Sequence, residues 1–221
     1  MRKGFEKNVE EQRVWKNSYS GPTFFIYRLS GKMKLSGKQI SLNALFISLG
    51  ILVPIFFHQF GLAGRVFSPM HLPVFFAGIL VGPLSGAIVG FLSPVLSFLL
   101  TGMPPPYAVP LMALELPTYG LSIGFFCRYL KFSLLISLIL SMLTGRVAFA
   151  LGIFVLGTFV KLPISFNSYL KASFITGFPG ILLQLILIPV LSYKLRQTRV
   201  FIFPDNWDLF CFPKVLNNES N

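Results

Sequence analysis

The chain alternates long apolar runs with short polar or Gly/Pro-rich stretches, and the lengths of the runs set the expected elements. A helix rises about 1.5 Å per residue, so about 20 apolar residues cross a hydrocarbon core of about 30 Å. Six helical segments are predicted: 39–60, a short one at 71–81, then 84–101, 107–129, 132–160 and 172–194. The second turns into the third at Gly82-Pro83, and Gly177-Phe178-Pro179-Gly180 predicts a break within the sixth.

Polar residues are sparse enough in these runs to be read singly. Glu115, in "LMALELPTYG", is the only acid between Glu11 and Asp205. It falls eight residues into the fourth segment, about 12 Å along a helix. Thr118, Tyr119 and Ser122 follow at helical spacing and share its face. Pro117 cannot donate to the Ala113 carbonyl, which predicts a bend there. Arg146 lies near the middle of the fifth segment beside a row of Ser137, Ser141 and Thr144, and Gln184 lies on the sixth.

A charge at the bilayer centre costs about 2.5–3.5 kcal/mol on insertion scales, so a lone one needs a partner or a wet cavity. Two arrangements meet this need: a structural Glu115–Arg146 pair, or a site for a polar solute lined by both. Tyr119, Thr118 and Ser122 supply more polar groups than one ion pair uses, which favours the site.

Composition agrees with a membrane setting. The 221 residues are 54% hydrophobic and 12% charged, with a mean hydropathy of +0.72, against about 25% charged residues in soluble domains. Surface-to-volume scaling leaves no way for residues 39–193 to hide in one soluble core. The expected fold class is therefore an all-α integral membrane protein, a six-transmembrane-helix bundle.

Charge supplies the orientation. Net charge is +12, and nine of the nineteen Lys and Arg precede residue 39. With six spans and a cytoplasmic N-terminus, fifteen fall on the cytoplasmic side and only Arg65, Lys161 and Lys171 outside, so both termini are expected to be cytoplasmic. Residues 1–38 become a basic cytoplasmic or interfacial arm, 39–195 the six-helix transmembrane domain, and 196–221 a cytoplasmic or interfacial tail. "TFFIYRLSGKMK" and "FIFPDNWDLFCF" mix aromatics with charge as headgroup-level segments do. Clustering at the chain ends points to membrane lipid, not nucleic acid, as the partner of the basic residues.

Catalytic chemistry is poorly served. "LSGKMKLSGKQ" holds two Gly-Lys pairs but lacks the upstream Gly and following Ser/Thr of a phosphate loop, so no ATP hydrolysis by this chain is expected. His58 and His71 have no acid near them in sequence, and no metal site or cofactor is expected. Ser85, in "GPLSG", tests a serine-protease arrangement, but it starts the third segment at the inner face while both histidines belong to the outer face. Cys127 and Cys211 are read as inert thiols. No enzyme is expected.

Small residues mark close helix packing: Gly82, Gly86 and Gly90 on the third segment, and Ala44 with Ser48 on the first. Two outer loops have lid-like composition. "GLAGRVFSPMH" carries Arg65, Phe67 and His71, and "GMPPPYAVP" is stiffened by proline around Tyr107.

Together, "ALFISLGILVPIFFHQFGLAGRVFSPMHLPVFFAGILVGPLSGAIVGFLSPVLSFLLTGMPP" and "MALELPTYG" resemble the substrate-binding S component of energy-coupling factor (ECF) vitamin transporters, over roughly residues 40–195. The resemblance implies a multi-pass protein of a prokaryotic plasma membrane that captures a small vitamin or precursor from outside. Its partners would be an ECF coupling transmembrane subunit and two ATPase subunits. S components dock on the coupling subunit through Ala-xxx-Ala on the first helix; the match here is Ala44-xxx-Ser48, a departure that keeps the small surface. The ligand positions implied are Arg65 to His71, Glu115 with Thr118 and Tyr119, Arg146, the loop from Lys161 to Asn167, and Gln184. A carboxylate suits an aminopyrimidine or a pyridine hydroxyl, whereas Arg146 and Arg65 suit an anion such as pantothenate. A proton- or ion-coupled carrier titrating Glu115 and a purely structural membrane protein remain as alternatives.

Overall fold

The computed structural model describes residues 37–58, 70–159 and 166–197, without the side chains at 38, 58, 156–159, 166–178 and 195–197. The basic arm, Arg65 with its loop, the loop from Lys161 and the tail after 197 lie outside the described residues.

Among the described residues six helical elements follow one another: α1 (Gly37–His58), α2 (His71–Phe76, continued by a π-helical turn Ala77–Val81), α3 (Pro83–Thr101), α4 (Val109–Arg128), α5 (Leu134–Phe159) and α6 (Phe166–Gln197). Among the described residues there is no strand. Segments of α1, α3, α4 and α5 are long and apolar enough to cross a membrane; the described apolar runs at His71–Val81 and Pro179–Lys194 are shorter.

Element ends follow local chemistry. The π-helical turn closes with Gly82 N–H donating to the Ala77 carbonyl at 3.0 Å. Gly82 adopts φ 136°, which L side chains rarely reach, and the Arg128 guanidinium lies where a Cβ would stand. Pro83 then opens α3, where a missing N–H costs nothing. α3 ends at Gly102 (φ 71°), whose N–H donates to the Phe98 carbonyl at 2.8 Å.

The expected boundaries shift by about two residues except at the sixth segment. There the helix begins at Phe166, and the predicted break at Gly177–Gly180 is absent: α6 runs on through Pro179 and Pro189. Proline deprives one carbonyl four residues back of its donor, and a membrane helix tolerates that loss where neighbours or local adjustment compensate.

α2 is the most enclosed element. Every residue from Pro73 to Val81 is buried, because α2 packs against α1, α3, α4 and α6. With Phe46, Val89, Leu116, Ile123, Leu138 and Ile188 it forms the core. Large apolar side chains also face outward, among them Leu52 and Phe56 on α1, Leu143 and Phe154 on α5, and Ile186 on α6. An apolar exterior around an apolar core is what a hydrocarbon surround permits, since burial alone does not separate inside from outside there.

Glycine sets the α3–α4 distance. Gly86 and Gly120 meet backbone to backbone, Gly90 lies against the Leu116 carbonyl and the Pro117 nitrogen, and Gly124 lies against Pro83. Gly50 of α1 sits over Ser93 of α3. Asn43 Oδ1, Ser93 Oγ and Ser192 Oγ are buried without a hydrogen-bond partner among the described residues.

Candidate functional site

α4 begins at Val109, so Glu115 is six residues, about 9 Å, into the helix. Its exposure is only 4%. One carboxylate oxygen, Oε1, takes both of its polar contacts: the Tyr119 hydroxyl donates to it at 2.6 Å, and Arg146 Nη1 of α5 stands 3.3 Å away. Helical spacing places Tyr119 one turn from Glu115, so the α4 contribution is local. Arg146 comes from the rim of the buried face of α5, and its side chain is 17% exposed against 5% for Glu115.

Aromatic rings complete the surround. Tyr119 is 2% exposed, and its ring centre lies 5.2 Å from His71 and 5.4 Å from Phe75, both tilted contacts. His71 and Phe75 are one turn apart on α2 and therefore share a face. Room for the Tyr119 ring comes from Gly145, where a Cβ would fall on its Cδ1–Cε1 edge. The same packing that brings Gly145 against Tyr119 brings the next residue, Arg146, to Glu115.

The structure thus gathers Glu115, Tyr119, Arg146 and His71. Gln184 is buried on α6, on the face that also carries Ile188 and Ser192. Short connections make α4, α5 and α6 run in alternating directions. Counted from the α4–α5 turn, Glu115 is thirteen residues back from Arg128 and Arg146 twelve on from Leu134, about 18–20 Å in each case, which agrees with their contact.

Thr118 turns to its own helix, donating to the Leu114 carbonyl at 2.7 Å. Ser122 donates to Thr118 O at 2.6 Å, and Ser141 and Thr144 return to Leu138 O and Ser141 O, each at 2.8 Å. These hydroxyls are satisfied by local backbone, as Ser and Thr within helices commonly are. Arg65 lies outside the described residues, and Asn167 has only its helical backbone described. Ser85 is buried at the start of α3, at the opposite end of the eleven-residue α2 run from His71, about 16 Å along the helix.

Phe75 and Gly145 are the members that the polar pattern did not single out. Spacing from His71 and adjacency to Arg146 are their sequence signals. No group of His, Cys, Asp and Glu suited to a metal ion occurs among the described residues.

Ala44 and Ser48 both lie on the exposed side of α1, where the Ser48 hydroxyl donates to the Ala44 carbonyl at 2.9 Å. A small-residue patch is left open there, one turn long.

Comparison with known families matches the model of the ECF transporter, substrate-specific component, over residues 38–193. The chain belongs to that family. The match runs from the second residue of α1 to within four residues of the end of α6, so it spans every helix that builds the cluster. Comparison with individual curated proteins and with solved structures returned no match. Family membership makes the chain a transporter component, and its long apolar helices agree with a place in a membrane.

Proposed function

We propose that this substrate-specific component has six membrane-inserted helical segments with both termini cytoplasmic, α2 being a short segment enclosed by the others. It captures a small vitamin or precursor, such as pantothenate or a pyridoxine-like or hydroxymethylpyrimidine-like compound, from outside a prokaryotic cell. A separate coupling subunit with two ATPases then drives uptake. The observation that carries the solute site is the buried cluster of Glu115, Tyr119 and Arg146. A carboxylate and a guanidinium beside three aromatic rings offer hydrogen-bond acceptors, donors and flat apolar surface to one small heteroaromatic solute.

Gln184, buried on α6, and His71, at the Tyr119 ring, extend the ligand surface. Thr118, Arg65 and Asn167 are assigned to it by the family resemblance. Ala44 and Ser48 serve the other partner: their exposed small surface lets a helix of the coupling subunit approach closely. Residues 1–38 and 196–221 flank this substrate-binding domain as interfacial segments.

Uptake is to be measured in cells that have or lack the energising module, alongside thermal stabilisation of the purified chain by a vitamin panel. Uptake that needs the module, with a stabilising vitamin, supports the assignment. Uptake that persists without it and follows a proton gradient overturns it in favour of a coupled carrier. Ala44→Trp is expected to leave ligand-induced stabilisation intact while lowering uptake, and unchanged uptake removes α1 as the docking helix.

A further inference from the structure

α5 pairs with α4 in antiparallel register: Gly152 lies against Leu111 and Leu114, Arg146 reaches Glu115, and Gly145 faces the Tyr119 ring. Gly145 and Gly152 stand two turns apart on the buried face of α5, yet they meet different neighbours. At Gly152 an added Cβ would stand 3.2 Å from Leu114 Cδ1 and 3.4 Å from Leu111 Cδ2, the ends of side chains that can change rotamer. At Gly145 it would overlap Cδ1, Cε1 and Cζ of a ring that is buried and has His71 and Phe75 against it. That ring moves only by changing those contacts.

We propose that Gly145 is a positioning residue for solute binding: its bare Cα sets how close α5 comes to the Tyr119 ring, and so fixes the Glu115 carboxylate between Tyr119 and Arg146. This rests on the cluster being the solute site. Glu115 Oε1 receives the Tyr119 hydroxyl at 2.6 Å and Arg146 Nη1 at 3.3 Å. One holder belongs to α4 and the other to α5, so the spacing of the two helices decides whether both reach the same oxygen.

A Cβ at position 145 can be relieved in two ways. The Tyr119 ring turns aside and its hydroxyl leaves Oε1, or α5 backs off and carries Arg146, the next residue in the chain, away from Glu115. Either movement releases the carboxylate from one of its two holders. A released carboxylate samples further rotamers, and a solute must re-order it on binding, which lowers affinity relative to a group already fixed. A Cβ at Gly152 has no such effect, because Leu111 and Leu114 hold no member of the cluster.

The purified full chain is to be melted in detergent against serial dilutions of a small-molecule extract of cultured cells, with the dilution that gives half the maximal rise in Tm read as apparent affinity. Gly145→Ala is expected to need at least about tenfold more extract, the equivalent of one hydrogen bond to a charged group. Gly152→Ala is expected to leave the half-point where the native chain has it. A half-point unmoved by Gly145→Ala, or moved equally by both substitutions, overturns the inference and leaves the solute site standing. An extract that raises the Tm of no form overturns the site itself, and the inference with it.

Should Gly145→Ala fail to fold, Tyr119→Leu supplies the second test, since it removes the ring edge that the Cβ would strike. In that background Gly145→Ala is expected to lower Tm no further than Tyr119→Leu does alone. A further fall shows that the glycine answers to something other than the ring and overturns the inference.

Discussion

Removing either half of the buried pair destabilises the chain, but by unequal amounts. Arg146→Met strands a carboxylate that is 4% exposed and whose one ion-pair partner among the described residues stood at 3.3 Å. Leaving one member of a buried pair without its counter-charge costs about 3–5 kcal/mol. Glu115→Gln strands the guanidinium instead, whose side chain is 17% exposed and long enough to carry its charge toward a wetter region. The amide oxygen still accepts from Tyr119, so the loss should be nearer the about 1–3 kcal/mol of an unmade buried hydrogen bond. The double variant strands no charge and should recover much of the larger loss, a coupling of at least about 1 kcal/mol. Equilibrium unfolding of all four forms in mixed detergent micelles measures this cycle. Equal single losses within about 0.5 kcal/mol, or losses that simply add, would refute the difference in burial as its cause.

Four further outcomes are expected from the same unfolding assay. Tyr119→Phe removes a 2.6 Å donor to a charged acceptor and should cost about 1.5–3 kcal/mol, so an unchanged midpoint would mean the hydroxyl contributes nothing there. Gly120→Ala forces a Cβ into the Gly86 backbone and should cost at least about 1–3 kcal/mol. Gly37→Ala, with nothing within 4 Å, is the control and should stay within about 0.5 kcal/mol; similar losses at both positions would discount the crossing. Ser93→Ala deletes a buried hydroxyl that has no partner among the described residues and should be neutral or stabilising, and a loss above about 1 kcal/mol would place an unseen hydrogen bond on it.

Helix existence was legible in the sequence because apolar runs of membrane length leave few alternatives, and Gly82-Pro83 marked its turn through two backbone constraints acting in succession. The meeting of Glu115 and Arg146 was legible as one of two options, since isolated charges in an apolar run must find partners. Less legible was how hydroxyls are spent. Thr118 and Ser122 read as a supply of polar groups for a site, and Ser141 and Thr144 as a polar row beside Arg146, but each hydroxyl is used on a carbonyl of its own helix. That choice depends on rotamer, which composition does not encode. The glycines of α3 were visible as a pattern, whereas Gly120, Gly124 and Gly145 were not, because their significance comes from the residue opposite each. Continuity through Pro179 was hidden for a related reason: local propensity argues for a stop, and surroundings decide.

The Gly86–Gly120 crossing has a mechanical consequence. A seam between side chains can re-seat itself by exchanging rotamers, but this one joins main chain to main chain and has none to exchange. α3 and α4 are therefore coupled like the two plates of a riveted beam, and a push on one is carried by the other without play. α5 is held differently, by an aromatic ring over a glycine and by a long flexible cation, both of which can swing. The α4–α5 seam therefore has side chains to exchange where the α3–α4 seam has none.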